Sequence, residues 1–434
     1  MTVQRASARR SGAWLAGVAA SALLALASCA VPGAAAGGTS GASSGVSSEP
    51  APSSATVAEA EVEPGALPAA LEGHQILNPG WAVEPKQLAG VFVAPIERDD
   101  RLEYLALDSS GEALWTASRP LSCSGFALTR TADGRDIAVL TDVVSTPTSI
   151  SAPTATAYDL RTGERVWGPV DVPGPYKGPG LVFAAAPPGF MGDVGEKAAL
   201  EPTTGETLAA EAALPRGTRI VSEHRGTVVT VDGEALRGLR ADGGGSGSGA
   251  GSGSGATRLE ERWTIPLADH SWDAERLGNA TRHSELGGPL ALLATGGAEA
   301  TDAEQGALVN LDTGEIAAAG VTGAAFDADA NVVVAALADG RLLGFEPDGV
   351  PRWELAAEVA GAGSGSAALA GAGGGAAYLR AGGAGRVLDA ASGAAVAGAH
   401  PAFERGEAAL IPSLSSGAGA VVAEGGVRRV LAVG

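Results

Sequence analysis

The chain has 434 residues, 65 of them Gly and 25 Pro, and a formal net charge of −20 from 29 basic against 49 acidic side chains. So acidic a surface repels phosphate backbones and anionic headgroups, which excludes nucleic acid as a partner and any purely electrostatic hold on a membrane. Two cysteines, Cys29 and Cys123, are too few for a disulfide framework or a cysteine-based metal cluster.

The first 28 residues read as an export signal. Arg5, Arg9 and Arg10 precede an uncharged run, GAWLAGVAASALLALA, over residues 12–27. That run is short for a membrane span and has the layout of a signal peptide. It ends in Leu26, Ala27, Ser28 and Cys29. This ending resembles the lipobox of bacterial lipoproteins, with Leu three places before the cysteine and small residues between. The resemblance implies that Cys29 becomes the lipidated N-terminus of the mature chain. Two or more acyl chains hold a protein stably at a membrane, whereas one does so only marginally. The location implied is the extracytoplasmic face of the cell membrane, reached through the lipid anchor alone.

Residues 30 to about 76 are mostly Ala, Gly, Ser, Pro, Thr and Glu. Such a composition buries too little surface to offset the entropy of ordering it. Residues 29–77 are therefore expected to form a disordered tether with a reach of roughly 40 Å.

From residue 78 onward one phrase recurs. Its fullest copy is AYDLRTGERVW, residues 157–167: a small residue, an acid two places on, Thr-Gly, Glu and a final Trp. The copies carry Asp108, Gly111 and Trp115; Asp159, Gly163 and Trp167; Glu201 and Gly205; Asn310 and Gly314; Glu346, Gly349 and Trp353; and Asp389 with Gly393. A further copy is split: GLRADG opens it, ERW with Trp263 ends it, and a Gly/Ser-rich insertion at about residues 243–258 lies between. Insertions of this kind are tolerated at hairpin tips. VLAVG at the C-terminus resembles the strand YLALD and supplies an eighth beat.

Each phrase follows a short apolar strand. An acid that bonds backbone amides two residues on, followed by Gly at positive φ, makes a tight hairpin. The Trp then falls on the returning strand, where its ring can fill the space between sheets. A period of about 40–45 residues points to propeller blades, which bury their faces only by stacking on their neighbours. The fold class expected is all-β: a β-propeller of four-stranded antiparallel blades, eight preferred and seven the alternative. In GWAVEP, Trp81 would complete the last blade and join the N-terminal strand to the C-terminal one, removing free strand edges.

The phrase resembles the PQQ-like β-propeller repeat of quinoprotein dehydrogenases and of the BamB family of lipoproteins. The resemblance spans residues 78–434. It implies either an extracytoplasmic scaffold or a quinone-dependent enzyme. The quinoproteins carry an adjacent Cys pair against the cofactor. This chain has a single Cys beyond residue 29, so neither PQQ nor another cofactor is expected. The periodic acids fall on separate hairpins and cannot meet as a catalytic pair, and no HExxH or nucleophile elbow occurs.

The densest polar stretch, LADHSWDAERLGNATRHSE, carries Asp269, His270, Trp272, Asp273 and His283 and is a candidate recognition loop. The reading that results is a non-catalytic, membrane-tethered, monomeric propeller binding a protein or cell-envelope partner. The alternative is a small-molecule binder or PQQ-dependent enzyme using the funnel on the propeller axis.

Overall fold

A computed structural model describes residues 48–63, 65–146, 149–186, 195–241, 258–278, 283–296, 305–357, 368–381, 383–417, 419–424 and 428–434. The signal segment, Cys29 and most of the Gly/Ser insertion lie outside these residues.

The described strands form seven antiparallel sheets, arranged in chain order as a β-propeller. The second sheet is a simple four-stranded unit: Phe126–Arg130, Asp136–Thr146, Ser149–Asp159 and Arg165–Asp171, each paired with the next. The fourth repeats this plan with Arg219–His224, Thr227–Val231, Ala235–Ala241 and Leu259–Pro266. Ala241 pairs with Leu259, so the Gly/Ser insertion leaves and re-enters at a hairpin tip.

Seven sheets match the alternative count rather than the preferred eight, and the reason is one long strand. Ile316–Asp327 pairs through its first half with Gly306–Asn310 and through its second half with Val332–Leu337. It merges the copies at Asn310 and Glu346 into one seven-stranded sheet. Hairpin phrases count turns, and a strand that runs on from one unit to the next leaves no mark on that count.

Hydrophobic cores lie between neighbouring sheets. Trp115, Tyr104 and Val91 of the first sheet pack with Phe126, Leu140 and Tyr158 of the second. Trp167 and Val139 of the second pack with Phe183 and Leu200 of the third. Trp263 and Val229 of the fourth pack with Leu293, Val309 and Leu311 of the fifth. Alternation along a strand sends side chains to both faces, so an interior sheet contributes to two cores at once. That is why strands such as Val332–Leu337 are apolar throughout, with every residue buried.

The two ends of the described chain meet in the seventh sheet, but not through GWAVEP. The strand that pairs with Arg428–Val433 is Gln75–Asn78, in register Gln75 to Val433 and Leu77 to Leu431. Trp81 follows that strand. Its ring is buried with Phe92, Leu431 and Val433, and its indole nitrogen has no hydrogen-bond partner among the described residues. The apolar pair in QILN carries the pairing because both of its faces are covered. Trp81 instead plugs the joint between first and last sheets from just beyond the strand.

The segment expected as the end of a disordered tether is ordered from residue 48 and wraps the outer wall. Ala51–Pro52 adds a strand to Ala113–Arg119, and Ala58–Glu59 adds one to Gln75–Asn78. Ala60, Val62, Ala66 and Leu67 then cover a core containing Leu71, Leu410 and Val430, and Leu410 N–H donates to Ala66 C=O at 2.8 Å. Small residues are what a strap crossing closely over a sheet edge requires, so here low hydrophobicity does not mean disorder.

Candidate functional site

The repeated phrase is a clamp between neighbouring units. In the copy at Asp159 the carboxylate accepts the amides of Arg161 at 3.1 Å and Thr162 at 3.0 Å. Gly163 has φ of 72° and donates its N–H to Asp159 C=O. Asp108, Glu201, Asn310 and Asp389 bond their own hairpins in the same way. In the short copy at Glu346 the capping falls to Asp348, which accepts the Val350 amide, while Glu346 receives Arg352. Except for Glu346, the acids of the phrase hold their own turns.

Each Trp reaches forward to the next phrase. The indole of Trp115 donates to Leu160 C=O, that of Trp167 to Pro202, that of Trp263 to Leu311 and that of Trp353 to Ala390, all at 2.8–3.0 Å. In every case the acceptor is the residue just after the acid of the following copy, or after Asn310 where that residue holds the acid's place. A Cβ on the Gly of that copy would strike the same indole: Gly205 at 2.5 Å from Trp167, Gly314 at 2.7 Å from Trp263, and Gly393 at 2.7 Å from Trp353. The small residue that opens the phrase sits opposite the Trp across the hairpin, as Ala106 does to Trp115, Ala157 to Trp167 and Gly238 to Trp263. Small residue, acid, glycine and indole thus form one unit, with a hydrogen bond and a desolvated ring per joint.

Where Trp is missing, the joint changes. At Gly111 the occupant is Leu77 of the N-terminal strand, whose Cδ1 lies 2.3 Å from where a Cβ would stand. At Gly349 only Ala317 and Leu290 approach, at 3.4 Å. There Asn310 bonds its own hairpin with one amide atom and donates with the other to Asp348 C=O at 2.8 Å. That bridge to the next copy is a role for Asn310 that its place in the pattern does not reveal.

Three of the candidate recognition-loop residues, Asp269, His270 and Asp273, are exposed. Asp269 lies exposed in the short 3-10 turn Leu267–Asp269. The rings of His270 and Trp272 lie 4.9 Å apart, with Trp272 half-buried against the core of the fourth and fifth sheets. Asp273 accepts the amides of Glu275 and Arg276 at the start of the helix Ala274–Gly278. His283 is separated from these, bonding Leu277 C=O through Nε2 at 2.9 Å and accepting the Ala294 amide at Nδ1. Its burial holds the imidazole neutral, with its pKa down at about 4. Of the five residues only His283 lines the axial cavity.

That cavity lies on the propeller axis and encloses about 660 Å³. Its walls come from the first strand of sheet after sheet: Lys86–Leu88, Phe126–Arg130, Arg219–His224, Ala368–Gly373 and Ile411–Ser416, with the middle of Ile316–Asp327. Lys86 donates to Tyr176 Oη at 3.0 Å and sits 4.4 Å from the Tyr176 ring centre and 5.2 Å from that of Phe126. Arg130 pairs with Asp136 at 2.7 Å. Glu223, 1% exposed, accepts the amides of Leu181 at 3.0 Å and Gly226 at 2.7 Å. Cys123 is buried elsewhere, its carbonyl accepting the Tyr104 hydroxyl, and does not line the cavity. Among the described residues no group of three or more His, Cys, Asp or Glu could hold a metal ion.

The fold and its axial cavity define a β-propeller. No known sequence family matches the chain, and no curated protein matches it in sequence. Two solved structures are similar to it over most of their length. BamB from Moraxella catarrhalis is 14% identical, with 83% of this chain and 98% of that one covered at a TM-score of 0.39. Sqt1 from Saccharomyces cerevisiae is 9% identical over 83% and 98%, at a TM-score of 0.38.

Proposed function

We propose that the chain is a non-catalytic extracytoplasmic lipoprotein, anchored through Cys29, whose propeller is a monomeric scaffold for a protein or cell-envelope partner. The observation that supports this most is how the polar groups of the repeat are used. Apart from Glu346, the phrase acids accept their own hairpin amides, and the indoles clamp neighbouring units. In the cavity, Glu223 and His283 are likewise bonded to backbone groups. A general acid or base needs a free position beside a reacting atom, and both polar atoms of Glu223 and of His283 are already bonded to backbone groups. The pairing of Gln75–Asn78 with Arg428–Val433 fits a ring closed by its own ends, which would spare a tethered propeller from edge-to-edge association.

Membrane fractionation of cells making the wild type and Cys29→Ala tests the anchor, with the variant expected in the soluble fraction. Crosslinking in intact envelopes followed by affinity capture tests the scaffold role, a stoichiometric partner being the expected result. Failure to recover one while purified protein turns over a quinone-linked substrate would instead favour the enzyme reading.

A further inference from the structure

The axial cavity departs from the rest of the molecule in charge. The whole chain has 49 acidic against 29 basic residues. The cavity lining holds Lys86, Arg130 and Arg225 against Glu84 and Glu223, and no Asp. Of these, the Glu223 carboxylate is satisfied by backbone amides and Arg130 is paired with Asp136, which leaves Lys86 and Arg225 against Glu84.

Arg225 sits at a costly position. It is the first residue of a two-residue hairpin between Arg219–His224 and Thr227–Val231, where His224 pairs with Thr227. Its φ is 47° and that of Gly226 is 83°. Asn-Gly is the preferred pair for such a turn, because an L side chain is strained in the left-handed region. Glu223 holds the turn in place by accepting the Gly226 amide. Backbone strain kept at a cavity wall is a pointer to use.

The groups this hairpin presents are unsatisfied. Arg225 is half-buried and has no hydrogen bond or ion pair among the described residues. A guanidinium keeps its charge and five N–H donors in any protein environment. The neighbouring His224 has its Nε2 buried with no partner among the described residues. Burial holds that imidazole neutral, with its pKa down at about 4, so at neutral pH it is a donor or acceptor without charge.

We propose that the axial cavity binds a small organic anion, its carboxylate or phosphate head held by Arg225 with His224 beside it. The body of the ligand would rest on Leu88, Leu128, Leu286, Phe326, Leu369 and Leu414, which line the same space. A planar guanidinium matches either head group through paired N–H donors. About 660 Å³ is within the range of pockets that take small organic ligands. The inference stands apart from the scaffold reading, since a tethered propeller can hold a ligand whether or not it also holds a partner protein.

The test is thermal unfolding of the full-length protein with phenyl phosphate, phenylacetate or phenol, all at matched ionic strength. One or both anions should raise the melting temperature in a saturable way, and phenol should not. The anion that works identifies the head group. Arg225→Asn should need at least about tenfold more of that anion for the same shift. Because Asn suits the turn, the unliganded variant should melt no lower than wild type, and Arg225→Gly serves as a second turn-compatible replacement. No shift with either anion, an equal shift with phenol, or an undiminished response in both variants would overturn the proposal.

Discussion

The indole nitrogen of Trp167 donates to the carbonyl oxygen of Pro202 at 2.8 Å, and the same ring covers Gly205, joining the second sheet to the third. The relationship recurs from Trp115 to Leu160, Trp263 to Leu311 and Trp353 to Ala390. Stability in such an array resides largely in its joints.

Trp115 is fully buried at its joint. Trp115→Ala should cost about 3–5 kcal/mol, the usual loss for an emptied aromatic site. Trp115→Phe keeps most of the apolar area but leaves Leu160 C=O without its donor, and should cost about 1–3 kcal/mol. Equilibrium unfolding in urea, monitored by circular dichroism, measures both. Equal losses for the two would mean the hydrogen bond contributes nothing.

Two glycines separate backbone strain from steric contact. Gly374 has φ of 68° with no atom within 4 Å of a built Cβ, whereas Gly393, at 72°, would place its Cβ 2.7 Å from Trp353. Alanine at either position should lose about 1–2 kcal/mol to the left-handed backbone. Only Gly393→Ala should lose a further ~1–3 kcal/mol by displacing the indole. Denaturation midpoints of the pair give the difference directly.

The N-terminal strap invites a contrast between charge and packing. Glu49 and Arg165 form a salt bridge at 3.1 Å with both side chains about half exposed, so Glu49→Gln should change stability by less than about 1 kcal/mol. Leu71, 6% exposed in the core beneath the strap, should cost about 2–5 kcal/mol on conversion to Ala. Differential scanning calorimetry of the two variants would show whether apolar burial or the ion pair holds the strap down.

His283 should make the fold acid-sensitive. Its pKa is lowered from 6.5 to about 4 by burial. Between those values the unfolded chain binds the proton and the folded chain does not. Stability therefore falls as pH drops from 6.5 to 4 and falls no further on this account below 4. Replacing His283 by Gln should flatten stability against pH across that window, read from urea midpoints at a series of pH values. An unchanged slope would place the sensitivity elsewhere, with His224, lowered likewise to about 4, the next site to replace.

Lys197 acts at the alkaline end. It is 1% exposed and donates to Ile220 C=O at 2.7 Å and Gly278 C=O at 2.5 Å. Burial lowers its pKa from 10.5 to about 8, partly offset by Glu211. The unfolded chain therefore holds the extra proton between pH 8 and 10.5, and stability should rise with pH over that range. Lys197→Met should remove the rise while leaving two carbonyls unpaired, at a cost of about 1–3 kcal/mol. Melting curves in buffers from pH 8 to 10.5 test both effects.

Much of the fold was legible because it is written in local chemistry. An acid that bonds amides two residues on, Gly at positive φ and a Trp on the return strand specify a hairpin wherever they occur, as Asp159, Gly163 and Trp167 show. Even the split copy could be read, since Ala241 and Leu259 still pair across the insertion. The site was less legible. Arg225 belongs to no motif, and neither its left-handed backbone nor its lack of a partner can be seen in sequence.

By itself, then, the sequence determined the all-β class, the position of each clamping hairpin and the spacing that stacks them, because these depend on contacts within about a dozen residues. Tertiary structure decided the rest. It selected Gln75–Asn78 over GWAVEP as the partner of the last strand, merged two copies through Ile316–Asp327, and laid residues 48–63 along the outer edges. It also gathered Arg225, His224 and Lys86 around one axis. Each of those outcomes turns on which distant surface covers an apolar face or a free strand edge, and that competition is settled only when the whole chain has packed.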